Sequence, residues 1–131
     1  MQLKTQAPTI VLIEKDQVTL DLYRRELSKS FTVLAFAETD GVLETIADQS
    51  VQAIIIEPEA QYGQGRAFIH SIDNTFPNQF IPVIVCSTCD TDDIDLAGEI
   101  TKHLTKPVLP NILRKKVLEI LARKDERLKT S

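Results

Sequence analysis

Apolar and polar positions alternate in blocks along this chain, and the blocks change period. Residues 9–13 form a near-continuous apolar run, which predicts a strand buried on both faces. A helix is expected next, because Leu20, Tyr23 and Leu27 recur at i, i+3 and i+7. Residues 31–37 predict a second strand. Thr39 or Asp40 is positioned to cap a second helix whose apolar face is Val42, Leu43, Ile46 and Ala47. Residues 53–56 predict a third strand, and the polar, glycine-containing residues 58–65 predict a loop. Phe68, Ile69 and Ile72 mark a third helix that ends before Pro77. A fourth strand is expected over residues 81–86, a short fourth helix over 90–98 and a short fifth strand over 101–104. Leu109, Leu113, Val117, Ile120 and Leu121 mark a last amphipathic helix.

Five strands alternating with five helices predict a doubly wound α/β fold, a five-stranded parallel sheet covered on both sides. The pattern divides the chain into an N-terminal segment (1–8), one folded domain (9–122) and a charged C-terminal tail (123–131). The tail has mixed signs and no clear core face, as expected of a solvated helix end or the start of a linker. No internal repeat or low-complexity stretch interrupts the pattern.

Composition narrows the function classes. A length of 131 residues with 43% hydrophobic and 26% charged residues suits one folded domain with a real core. The formal net charge of −4 argues against nucleic-acid binding by this domain, which needs a basic face. No apolar run approaches the roughly 20 residues of a membrane helix, so no membrane role is expected. The first eight residues are mixed and polar, without the look of a signal peptide. With two cysteines in the chain, the expected setting is the reducing cytoplasm.

In doubly wound sheets, chemistry gathers at the carboxyl ends of the strands. Glu14 ends the first strand, Glu57 the third and Ser87 the fourth, and Lys106 follows the fifth. Two carboxylates, a hydroxyl and an ammonium are therefore expected on one edge. Cys86 and Cys89 have the C-x-x-C spacing of redox sites. Cys86 falls at the buried end of a strand, where cysteine acts as a small apolar residue. Cys89 precedes Asp90, Asp92 and Asp93, whose charges disfavour a thiolate. A zinc site would need two further ligands; His103 is a candidate third, and no fourth is evident. His70 reads as solvated, and Gly63-Gln64-Gly65 is too short for a phosphate loop.

From residue 9 to residue 121 the chain resembles the CheY-like receiver domains of two-component response regulators. The resemblance rests on Ile-Val-Leu-Ile-Glu-Lys-Asp at 10–16 and on Ala-Ile-Ile-Ile-Glu-Pro-Glu at 53–59, with Gly65 eight residues beyond Glu57. It is completed by Ile-Pro-Val-Ile-Val-Cys-Ser at 81–87 and Leu-Thr-Lys-Pro at 104–107. It implies the sheet order 2-1-3-4-5, a cis Lys106-Pro107 bond, Ser87 as the switch hydroxyl and Lys106 as the family's lysine. The departures bear on function. The family's acidic pair is Glu14 and Lys15 here, and its phosphoacceptor Asp is Glu57. Glu14 and Glu57 against Lys15 and Lys106 make the pocket formally neutral, where the family's is −2. Mg²⁺ wants carboxylate oxygens in a strict cage, so it should bind poorly here. Glu57 is one methylene longer than Asp, which displaces an attacking oxygen by about the 1 Å that costs 10²-fold in a positioned reaction. Glu57 can pair with Lys106 or Lys15 instead.

The family's aromatic switch position is His103, which is expected to be an exposed polar residue on an edge strand. The stretch from Ser87 to Lys106 is also shorter than is usual in the family. The resulting expectation is a pseudo-receiver: a non-enzymatic signalling module without phosphoacceptor chemistry, metal or cofactor. Its partner would be a protein (a kinase, a regulator, a fused output domain or a second copy), met through the fourth helix, the last helix and the fifth strand with Lys102 and His103. Two alternatives stay open. One is a redox or ligand sensor using Cys86 and Cys89. The other is a working phosphoacceptor in which Asp16 or Glu59 supplies the missing oxygens.

Overall fold

β-Branched residues dominate the central strands, and their alternate side chains point to opposite faces of one sheet. In the computed structural model, which describes residues 7–57, 60–76, 81–87 and 102–130, the elements run in the order β1 (Thr9–Ile13), α1 (Gln17–Leu27), β2 (Thr32–Phe36), α2 (Val42–Asp48), β3 (Val51–Ile56), α3 (Ala60–Thr75), β4 (Val83–Ser87), β5 (Lys102–Thr105) and α4 (Pro110–Thr130). The strands form one parallel sheet in the order β2-β1-β3-β4-β5. This is the doubly wound five-stranded α/β fold expected from the pattern.

The period of two divides the core. Val11, Ile13, Ile54, Ile56, Val83 and Val85 face one way and are covered by Val42 and Ile46 of α2 and by Phe68, Ile69 and Ile72 of α3. Ile10, Leu12, Ala53, Ile55, Ile84 and Cys86 face the other way, under Leu20, Tyr23 and Leu27 of α1 and Leu113, Val117 and Ile120 of α4. Both sides are apolar, so the inner strands read as unbroken hydrophobic runs. Arg114 ties α4 to α1. Its Nε donates to Glu26 Oε2 at 2.9 Å and its Nη1 donates to Ser30 Oγ at 3.1 Å. The Lys106-Pro107 bond is cis.

Several boundaries differ from the pattern, each for a local reason. Neither Thr39 nor Asp40 caps α2. Gly41 occupies the N-cap with φ of 80°, a conformation glycine adopts without the Cβ penalty, and no side chain bonds there. The predicted loop over 58–65 is helical from Ala60 onward. Alanine and glutamine at 60, 61 and 64 favour helix, and the turns anchored by Phe68, Ile69 and Ile72 propagate backwards through the two glycines. β4 begins two residues later than expected, because Pro82 has no N–H for the ladder; its carbonyl still accepts the Ile54 N–H at 3.0 Å. β3 begins at Val51, which pairs with Thr9. α4 continues through the residues read as a tail as far as Thr130. The expected fourth helix (90–98), Glu59 and Cys89 lie outside the described residues.

Candidate functional site

The sheet order reverses direction at β1, so the crevice between the carboxyl ends of β1 and β3 is the topological switch point. Ile13 pairs with Ile56, which places Glu14 and Glu57 side by side on adjacent chains just beyond the ladder. The Glu14 N–H donates to Phe36 O and the Glu57 N–H donates to Ile13 O, both at 3.0 Å, so the backbone of each glutamate is held by its neighbour. Ser87 closes β4 and its carbonyl accepts the Lys106 N–H at 2.7 Å. Glu14, Glu57 and Ser87 are the buried polar residues among those described, at 2%, 4% and 0% exposure.

The carboxylate that meets Lys106 is Glu14. Lys106 Nζ donates to Glu14 Oε1 at 2.6 Å, with the two side chains only 16% and 3% exposed. The second oxygen, Glu14 Oε2, accepts the backbone N–H of Asp16 at 3.1 Å. Both oxygens of Glu14 are therefore engaged by donors of this chain. Asp16 turns away. Its Oδ2 accepts the Thr19 N–H at 3.0 Å and the Thr19 hydroxyl at 2.6 Å, capping α1. Those bonds, the hydroxyl first, hold the Asp16 carboxyl below its ordinary pKa. Lys15 is exposed.

This donor set does not fit Mg²⁺. A hard dication needs free carboxylate oxygens in octahedral array, and beside Glu14 it would face an ammonium 2.6 Å from the first oxygen and an amide proton on the second. Among the described residues no group of three or more His, Cys, Asp or Glu is arranged to hold a metal ion. Asp16 Oδ2 is committed to the start of α1 in this arrangement.

No family model matches the chain, and no curated protein matches it either. Solved structures do match. A CheY-like response regulator receiver domain protein from Methanospirillum hungatei aligns over 93% of this chain and 99% of its own, with a TM-score of 0.81 at 17% identity. The signal receiver domain of an HD domain-containing protein from Pseudomonas fluorescens aligns over 98% and 97%, with a TM-score of 0.81 at 19% identity. A response regulator from Thermotoga maritima aligns over 88% and 98%, with a TM-score of 0.75 at 18% identity. The fold is that of a response regulator receiver domain.

On this receiver scaffold, the hydroxyl and the ring expected at the switch positions touch. Ser87 Oγ lies 3.1 Å from His103 Nε2. Val85 pairs with His103 and Ser87 with Thr105, so the two side chains lean to the same face of neighbouring strands. His103 is thus half-buried rather than the exposed edge residue expected, and its Nδ1 is a buried atom with no hydrogen-bond partner among the described residues. The alternation of side chains could have announced this contact. Lys102 is exposed. Cys86 is buried among apolar side chains, and burial pushes its thiol up to about 12, against the pull of Lys106. A redox role would need a reactive thiolate, which this site disfavours.

The lysine also borders a second feature. A cleft of about 480 Å³ opens beside Lys106 between α1 and the start of α4, lined by Leu22, Tyr23, Pro107, Val108 and Leu109. The Tyr23 hydroxyl donates to Val108 O at 2.9 Å, and burial raises the Tyr23 pKa to about 12. No helix among the described residues is long and apolar enough to cross a membrane.

Proposed function

We propose that this chain is a phosphorylation-independent receiver: a non-enzymatic signalling module that presents the receiver fold to a protein partner without accepting a phosphoryl group. The observation that carries the reading is the engagement of Glu14, with Lys106 on one oxygen and the Asp16 amide on the other. Phosphoryl transfer to a carboxylate depends on positioning and on a metal that neutralises the transferred charge. Here the lysine that would steady the phosphoryl oxygens is spent on a neighbouring carboxylate, and the metal position is closed by the same pair. Glu57 at the acceptor position adds a methylene to the reach of its carboxylate. The Ser87–His103 contact supports a single fixed arrangement of the β4–β5 edge, with Lys102, His103 and α4 as the face offered to the partner.

The test is incubation with Mg²⁺ and a small acyl phosphate, read by intact-protein mass spectrometry. The native chain gains no phosphoryl mass. The double variant Lys15→Asp with Glu57→Asp has the shorter acceptor and two new carboxylates that compete with Glu14 for Lys106 and open the metal position, and it does gain the mass. A stable phosphoryl adduct on native Glu57 would overturn the reading.

A further inference from the structure

The opposite end of the sheet holds a cleft that the receiver reading does not use. It lies where β1 and β3 begin, under the distal turns of α4, with a volume of about 420 Å³. That is within the range of small-molecule sites. Pro8, Ser50, Gln52, Leu121, Lys124 and Asp125 are among its lining residues. Lys124 is the one lysine among its described lining residues. Its Nζ donates to the backbone carbonyl of Gln52 and to Gln52 Oε1, both at 3.3 Å. Gln52 is held in turn, its Nε2 donating to Ser50 Oγ at 3.2 Å.

The setting differs from that of the paired lysines described. Lys29, Lys106 and Lys116 each lie within ion-pair distance of a glutamate, which stabilises the ammonium. Lys124 is half-buried and meets amide oxygens at distances longer than a charge-assisted bond adopts. Among the described residues no carboxylate lies within ion-pair distance of it. Burial lowers the proton affinity of the amine below the ordinary lysine value, against the opposing pull of Asp125. A half-buried amine without a carboxylate partner among the described residues, beside a cavity with room for a small electrophile, has the setting of a nucleophilic lysine.

We propose that Lys124 is a site of N-acylation by small acyl phosphates or acyl thioesters, and that acylation frees the distal turns of α4 from β3. The neutral amine attacks the acyl carbon, a C–N bond forms, and the C–O or C–S bond to the phosphate or thiolate breaks. The amine proton leaves to solvent. The product amide keeps one N–H in place of three and carries no charge, so at most one of the two contacts to Gln52 survives.

The full chain is incubated separately with acetyl phosphate and with an acetyl thioester, and peptide mass spectrometry maps the products at short times. In at least one arm, occupancy at Lys124 exceeds that at exposed Lys115 by roughly fivefold or more, the advantage expected of a less basic amine. The two arms distinguish the donors. Equal or lower occupancy at Lys124 in both arms overturns the proposal. The second readout is hydrogen exchange. Lys124→Gln, which mimics the acylated state, speeds exchange of the amides after Leu121 while those from Leu113 to Ile120 keep native protection; Lys124→Arg retains the cation and leaves the native pattern. Unchanged exchange in Lys124→Gln overturns the release of α4.

Discussion

Lys106 and Glu14 show how much one ion pair decides. Taking two charges out of water is costly, and their attraction offsets the cost only when geometry is good and the remaining lone pairs are satisfied. Both conditions hold here: the contact is 2.6 Å and the free oxygen of Glu14 takes an amide proton. Removing one partner leaves the other charge buried, so Lys106→Met lowers stability by up to about 3–5 kcal/mol. An unchanged urea midpoint would show that the pair contributes nothing. The same burial governs Cys86 and Tyr23, both held neutral in the fold. Their folded pKa values are raised to about 12 from ordinary values of 9.0 and 10.0. The unfolded chain therefore loses these protons first. The stability they contribute is full below about pH 9 and is lost as pH rises towards about 12. Urea midpoints measured across that window fall with pH, and the fall is shallower in Cys86→Ala. Equal slopes in the two proteins would contradict the assignment. The partner of Lys106 was not legible in the sequence. Charge counting puts two carboxylates within the lysine's reach, and only the backbone bonds that aim Glu14 choose between them.

At the level of elements, the strands and the helices over residues 17–27 and 110–121 were legible because both sheet faces are buried. The inner strands then read as unbroken apolar runs, and the helices that cover them keep a period of 3.6. Elements whose ends depend on backbone conformation were less so. Gly41 at the start of α2 carries a positive φ that no hydrophobic pattern encodes. The first turns of α3 contain two glycines that read as a loop, yet they follow the helix nucleated by Phe68 and Ile72. The start of α1 is the clearest cap. Asp16 bonds both the amide and the hydroxyl of Thr19, and the hydroxyl bond is the largest cause of its lowered pKa. A depressed carboxyl contributes stability above its ordinary pKa and loses it as pH falls through the lowered value. Asp16→Ala is accordingly less stable than native at neutral pH, while Asp16→Asn, which still caps, is nearly native. The gap between Asp16→Ala and native narrows on acidification. A gap that persists unchanged to low pH, in thermal melts of the two proteins, would show that the charge of Asp16 is irrelevant to the cap.

For the molecule as a whole, the receiver fold gathers its buried polar side chains at one end of the sheet. The order β2-β1-β3-β4-β5 still delivers Glu14, Glu57, Ser87 and Lys106 to one end. That convergence was readable from strand ends alone. The chemistry was readable only in part, since the formal neutrality of the pocket says that a dication is disfavoured but not what occupies the carboxylates instead. For Glu14 the geometry supplies the answer, in its pair with Lys106 and its bond from the Asp16 amide. The central claim is that this edge closes on itself and needs no metal. Titration of Mg²⁺ to millimolar concentration, followed by amide NMR shifts, tests it most directly. The account predicts no saturable shift at Glu14, Lys15, Glu57 or Ser87, with only the small linear drift of a changing ionic strength. Saturable, co-localised shifts at those residues, abolished by Glu14→Gln, would mean that the dication displaces Lys106 and that the pocket is a working one.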